Sequence, residues 1–313
     1  MPPGAAECTP IVEWPLERWD PELAAEQQAA ATRVVESGGV LFLPRLRFAL
    51  EPHETRYLSP AWSGGRAKNI SLDPETGEVR GAQGSAGDLQ GLARMVARFA
   101  SCARSLTQAL FPAYRQALGT ARTSFRPMEA EGRASSWRKD DRLLHVDAFP
   151  SRPNHGERIL RVFTNVNPRE PRLWCVGEPF ERMAERFVAD IPAPFPGSAR
   201  LLAALGVTKG RRSEYDHLML RLHDRMKADA AYQQSSPQQR FAFPPGSTWL
   251  VFSDQVAHAV LGGQYMLEQT LHLPVAAMQE PERAPLRVLE RLTGRPLSRA
   301  STGPSLSGTP AGR

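Results

Sequence analysis

The 313-residue sequence predicts a mainly β protein with helical additions, an antiparallel sandwich or barrel, on three observations. From about Arg122 the chain breaks into short apolar or alternating segments separated by Pro, Gly and Asn turns, the pattern of an antiparallel all-β architecture. Ahead of them lie two stretches with apolar residues at helical spacing. One interruption, over 179–232, returns to helical patterns, so it reads as an insert between strands.

The first helix is expected to open at Asp20-Pro21, an acid followed by proline, and to stop at Gly38-Gly39. VLFLP at 40–44 reads as a short buried strand, and 50–86, rich in Gly, Pro, Asp and Ser, as loops with brief strands. A second helix is expected from Gly87 to about Leu118, broken near Pro112. These form a helix-rich region over 1–120. The strands TSFRPM, RLLHVDAF, RILRVFTNV, RLWCV, RFAFP, STWLVFS, AHAVLGG and YMLEQTLHLPV then build a core over 121–280. After Pro281, ERAPLRVLERLTGR reads as a short helix with Leu286, Leu289 and Leu292 on one side and Arg283, Arg287 and Arg291 on another. It is either a packed helix with a solvated arginine face or an amphipathic contact with an anionic membrane. The end of the 281–313 segment, from Pro296, has a disordered composition.

Charge narrows the function classes. The formal charge is +6, and only four of the 39 basic residues are lysine. Six arginines stand against two glutamates between Pro281 and Arg313, so most of the excess lies in the tail and the body is nearly balanced. That argues against nucleic acid as a partner, because phosphate tracking requires clustered positive charge on the main body. Cys8, Cys102 and Cys175 are odd in number and lack metal-ligand spacing, which predicts a reduced, intracellular protein. The N-terminus carries neither a basic nor an apolar leader region, so no signal peptide is expected. Apolar runs are too short to span a bilayer, so any membrane role is peripheral.

The chemistry concentrates in Leu144-His145-Val146-Asp147-Ala148-Phe149. On a strand, residues two apart point the same way, so His145 and Asp147 can face one common point. Ala257-His258-Ala259-Val260, preceded by a strand and a turn and followed by Gly262-Gly263, supplies a second histidine near the start of another strand. Two histidines and one carboxylate make the facial triad of non-haem Fe(II) oxygenases, which leaves positions free for co-substrate and dioxygen. A 2-oxoglutarate-dependent member also needs a cation for the distal carboxylate, a role suited to the forked arginine side chain. The strand after His258, QYMLEQTLHLPV, has no Arg or Lys, though Gln269 lies on it. Arg161 in RILRVFTNVN is the alternative, with Asn165 and Asn167 on the same face by the two-residue period. Arg161 either holds the co-substrate or pairs with a structural acid.

These segments carry a resemblance. Residues 135–168, SSWRKDDRLLHVDAFPSRPNHGERILRVFTNVNP, with 226–260 and LEQTLHLPV at 267–275, resemble the 3-deoxy-D-manno-oct-2-ulosonic acid (Kdo) hydroxylases. The resemblance runs from roughly Gly38 to Val275 and is weakest in the insert. It implies a double-stranded β-helix (jelly-roll, cupin-like) core. It also implies Fe(II) held by His145, Asp147 and His258, and 2-oxoglutarate and O2 consumed to succinate and CO2. The substrate would be Kdo-lipid A or a related lipopolysaccharide precursor, hydroxylated at C3 of Kdo to D-glycero-D-talo-oct-2-ulosonic acid. A cytoplasmic enzyme, peripheral at the inner face of the inner membrane, follows. Kdo carries a carboxylate and lipid A carries phosphates, so Arg126, Arg138, Lys139, Arg142 and Arg152, which flank the motif, are candidates for a binding rim; each alone can equally be a surface charge. Two other readings stay open: a 2-oxoglutarate oxygenase of another substrate such as alkylated nucleic acid, and a non-catalytic barrel that binds acidic sugar or lipid headgroups. Nothing in the sequence bears on oligomeric state.

Overall fold

The computed structural model describes residues 8–64, 69–131 and 136–297. In chain order its first elements are β1 (Ile11–Glu13), α1 (Ala25–Glu36), β2 (Val40–Leu43), β3 (Ile70–Leu72), β4 (Val79–Arg80), α2 (Ala86–Leu110) and β5 (Gly119–Arg126). There follow β6 (Arg158–Asn165), β7 (Arg172–Pro179), α3 (Phe180–Phe187), α4 (Ser198–Ala204), α5 (Glu214–Ala228) and α6 (Ala230–Ser235). The last are β8 (Gln239–Phe243), β9 (Thr248–Phe252), β10 (Val256–Gly262), β11 (Met266–Leu273) and α7 (Pro285–Thr293).

The strands form two sheets. The larger has the order β1-β2-β9-β6-β11-β5-β3-β4 and the smaller β10-β7-β8, the jelly-roll arrangement of two facing sheets. All pairings are antiparallel except β1 with β2. The side-chain period of two then sorts each strand between two apolar layers. Phe163, Trp174, Val176, Phe243, Trp249, Val251, Val256 and Val260 fill the space between the sheets. Alternate residues, among them Leu160, Val162, Cys175, Leu250, Ala257 and Ala259, join the outer layer with residues of α1, α2, α3 and α5. With side chains on both faces buried, β9 and most of β10 read as near-continuous apolar runs instead of alternating ones, whereas the equally buried β6 also carries Arg158, Arg161, Thr164 and Asn165.

Several elements differ from the sequence expectation for local reasons. Helix α1 begins at Ala25, four residues beyond Pro21, because Gln27 caps the Ala24 N–H at 2.9 Å, whereas the Asp20 carboxylate is engaged by Arg18 at 3.3 Å. Helix α2 starts on a capping box between Ser85 and Asp88 and ends at Leu110, two residues ahead of Pro112, not near Leu118. The expected helix-rich region before residue 120 also supplies β1 to β4, half of the large sheet. The segment RLLHVDAF is not a regular strand. His145 bridges to His258, but the next inward residue, Asp147, donates its N–H to Ser253 O at 2.8 Å in the turn between β9 and β10. The extended backbone crosses from one partner to another, so no ladder forms.

Helix α7 is a packing helix: Leu286, Val288 and Leu289 are buried, and Leu292 packs on the same cluster. Its arginines and their neighbours are ion-paired, Arg283 with Glu280, Arg287 with Glu290 at 2.6 Å, Arg291 with Glu181 and Arg295 with Glu214 at 3.3 Å. The stretch expected to be disordered lies, from residue 298 onward, outside the described residues. Among the described residues no helix is long and apolar enough to cross a membrane.

Candidate active site

His145, Asp147 and His258 converge on the inner wall of the barrel, with one ligand atom from each lying within 4.8 Å of the others. Two backbone hydrogen bonds across the antiparallel bridge, His145 N–H to His258 O at 3.0 Å and His258 N–H to His145 O at 2.9 Å, set the two imidazoles side by side. Each ring is oriented by its Nδ1, which lies 2.7 Å from Leu143 O for His145 and 2.8 Å from Val256 O for His258. A carbonyl can only accept, so Nδ1 carries the proton in both rings and Nε2 keeps its lone pair for a metal. Trp174 stacks on His258 with centroids 5.1 Å apart, closing that side with an apolar wall.

The electrostatics favour a cation. Burial lowers the pKa of both histidines, and for His145 the neighbouring His258 adds to it, so both remain neutral ligands. Burial alone would raise the Asp147 pKa, but the neighbouring Arg161 guanidinium outweighs it and holds the carboxylate well below its usual range. Asp147 Oδ2 is buried with no aligned hydrogen-bond donor, although Arg161 Nε lies 3.0 Å away. Two neutral imidazole nitrogens and a buried, under-satisfied carboxylate fit a divalent transition metal.

Behind the triad runs a chain of charge. Arg161 is ion-paired with Asp147 and hydrogen-bonds one oxygen of Glu268, and Arg126 bonds the other oxygen of Glu268. Burial would raise the Glu268 pKa; Arg126 and Arg161 bring it below the ordinary value. Arg126 in turn lines a pocket together with Lys139, Asp140, Asp141, Arg142 and Arg172. Arg172 is 3% exposed, and its pKa is pushed down to about 9 by burial and by Arg126 beside it. The Nε atoms of Arg126 and Arg172 are buried without a hydrogen-bond partner, and that of Arg161 faces Asp147 Oδ2 without an aligned hydrogen bond, so this wall holds guanidinium donors that the fold does not saturate.

The sequence-predicted residues fall into two groups. His145, Asp147, His258 and Arg161 meet at one point, and Arg126, Lys139 and Arg142 border the adjoining pocket. Asn165 shares the strand face of Arg161 but stands four residues along it, about 13 Å away. Its amide donates to Glu170 O and Phe243 O, and the Asn167 side chain accepts from Arg169 and Glu170 N–H, so both shape the turn after β6. Gln269 is paired with Val162, one register position away from Arg161, and so projects from the opposite sheet face. There it accepts from Thr123 at 2.6 Å and donates to Thr270 O at 2.7 Å. Arg138 pairs with Asp224 at 3.2 Å and stacks on Trp137, and Arg152 is exposed; neither lines the pocket. Sequence reasoning missed Glu268 and Arg172. Both are charged residues in apolar strands, the same signal that singled out Arg161.

A jelly roll that presents two histidines and one carboxylate from its inner wall defines a mononuclear non-haem metal enzyme of the facial-triad class. A family model for 3-deoxy-D-manno-oct-2-ulosonic acid (Kdo) hydroxylase matches residues 18–296, and the chain belongs to that family. Among solved structures it is similar to the Kdo hydroxylase KdoO, a non-haem Fe(II) α-ketoglutarate-dependent dioxygenase, in complex with α-ketoglutarate and Fe(III). The identity is 48% and the TM-score 0.90, over 93% of this chain and 98% of the other. KdoO in complex with cobalt(II) is 47% identical with a TM-score of 0.91, over 97% and 100% of the two chains. KdoO with succinate and Fe(III) is 46% identical with a TM-score of 0.89 over the same shares. No curated protein matches significantly.

Proposed function

We propose that this chain is an Fe(II)/2-oxoglutarate-dependent dioxygenase that hydroxylates C3 of Kdo in Kdo-lipid A. The observation that carries the reading is the metal triad set against a buried arginine wall, in a chain 48% identical to KdoO. His145, Asp147 and His258 are the residues that hold iron, and Arg161 is the donor for the co-substrate carboxylate. When bound, iron with 2-oxoglutarate and O2 supplies the oxidising power, one oxygen going to the sugar and the other to succinate as CO2 leaves.

The protein's own residues do the positioning. Leu143 O and Val256 O fix the two imidazoles in the tautomer that binds metal. Trp174 and Phe163 line the inner wall with buried apolar surface, and a surround of low polarity strengthens charge interactions beside it. Glu268 holds Arg161 and Arg126 in fixed fork geometry. The pocket bordered by Arg126, Lys139, Arg142 and Arg172 suits an acidic sugar, and a forked guanidinium can take its carboxylate bidentately. On this proposal the enzyme works in the cytoplasm at the inner face of the inner membrane. Three free cysteines and the lipid anchor of the acceptor support that setting.

The test is twofold. Anaerobic titration should give about one Fe(II) per chain and lose it in His145→Ala. Mass spectrometry of Kdo-lipid A incubated with enzyme, Fe(II) and 2-oxoglutarate should show one added oxygen, located on C3. Succinate release with methylated oligonucleotide but not with Kdo-lipid A would overturn the substrate. Sugar binding without iron binding would overturn the catalytic reading.

A further inference from the structure

The exposed apolar surface of the molecule is concentrated in one place. Among the described residues, the most exposed large apolar side chains are Phe195 at 86%, Leu205 at 67%, Leu201 at 60% and Val207 at 54%. All four belong to the helical insert, on α4 and the loops that flank it. Leaving four such groups in water within thirteen residues is costly for a surface that meets only solvent. The same stretch is one-sided in charge: from 191 to 213 there are Arg200, Lys209, Arg211 and Arg212 and no Asp or Glu. Arg200, Lys209 and Arg211 are exposed. Large apolar tips interleaved with basic heads match the interface of an anionic bilayer, where the former enter the acyl boundary and the latter meet phosphates.

This surface is tied to the active site. Lys209 N–H donates to Ser151 O at 2.8 Å, and the Arg212 guanidinium donates to Pro150 O. Further along the same loop, the N–H groups of Asn154 and His155 donate to Asp216 at the start of α5, at 2.9 and 3.1 Å. The insert therefore clasps the loop that leaves the metal ligand Asp147. Helix α7, the other candidate for a membrane contact, has its leucines buried and its arginines paired within the protein.

We infer that the 191–212 segment is an interfacial element that docks the enzyme on anionic phospholipid, holding the catalytic loop at the height of a lipid-borne sugar. The inference rests on the proposed lipid-anchored acceptor, but its first test does not use that acceptor. Vesicles of phosphatidylethanolamine with phosphatidylglycerol should sediment the wild-type chain, whereas phosphatidylcholine vesicles should do so poorly. The double variant Phe195→Ser, Leu205→Ser should bind the anionic vesicles about tenfold or more weakly, and Arg200→Glu, Arg211→Glu should do the same in a salt-dependent way. Both variants alter solvated side chains, so circular dichroism and iron stoichiometry should match wild type. The second test compares turnover. The double variant should keep wild-type activity on a water-soluble, deacylated Kdo saccharide and lose about tenfold on vesicle-embedded Kdo-lipid A. Equal vesicle binding by wild type and variants would overturn the inference. So would a wild-type dimer that the double variant converts to monomer while neither binds vesicles, which would make the patch a self-association surface. Absence of turnover on any Kdo substrate, with vesicle binding lost in the variants, would overturn the substrate reading and sustain the docking surface.

Discussion

Strand β6 carries two buried arginines, Arg158 and Arg161, that have opposite characters. Arg158 points into the outer layer and is fully enclosed: its guanidinium binds Asp254 at 2.8 Å and Gln255 at 2.6 Å, and lies 3.9 Å over the Phe252 ring. Three residues on, Arg161 points into the space between the sheets. It shares Asp147 and Glu268 with other partners and keeps a buried Nε without an aligned acceptor. Burial and ion pairing are common to both. The difference lies in saturation: Arg158 has spent its donors on the fold, and Arg161 retains one toward the site. Arg126 and Arg172 resemble Arg161 in this respect.

The two arginines should therefore fail in different ways. Removing the partner of Arg158 with Asp254→Ala strands a buried cation, and the expected cost is about 3–5 kcal/mol of stability. Urea denaturation should show it, while the folded fraction keeps its 2-oxoglutarate affinity within about threefold. A change below about 1 kcal/mol would mean that the Arg158 pair is not the structural one. Arg161→Ala should do the reverse. The loss of a charge-assisted contact, about 2–3 kcal/mol, should raise the 2-oxoglutarate dissociation constant roughly 30- to 150-fold. Iron affinity should fall much less, since all three ligands remain. Unaltered co-substrate affinity in that variant would remove Arg161 from its assigned role and direct attention to Thr270, which bonds Glu268 from the same sheet face.

The contrast also marks where the sequence stops being legible. RILRVFTNV declares a buried strand, and a basic residue within it demands a partner, yet Arg158 and Arg161 satisfy that description equally. Which of them enters the site depends on strand parity against a wall of the barrel, a tertiary fact. The two-residue period that put Asn165 and Asn167 beside Arg161 gave the face and not the height along it, and at that height they bind a turn. Gln269 failed by one register position. By contrast, His145, Asp147 and His258 were readable because metal ligation needs rare residue types in a fixed local spacing, whatever the rest of the sheet does. Most strands were readable from apolar runs and turns. The motif segment was misread as a strand because its pairing changes partner within two residues.

The smallest expected effect concerns the arginines that dominate the net charge. Arg287 on α7 pairs with Glu290 at 2.6 Å, three residues along the same helix, and its side chain is 44% exposed. Such a pair gains little Coulomb energy against water and gives up side-chain freedom to form. Arg287→Ala should therefore move stability by no more than about 0.5 kcal/mol, with turnover and anionic vesicle binding unchanged. The buried side of the same helix, carrying Leu286 and Leu289, supplies the anchoring instead. If Arg287→Ala weakened vesicle binding as much as the Phe195 and Leu205 changes, the exposed arginine face of α7 would be a lipid contact in its own right. Count of charge would then have been a better guide to function than its burial and saturation, which is the opposite of what separates Arg158 from Arg161.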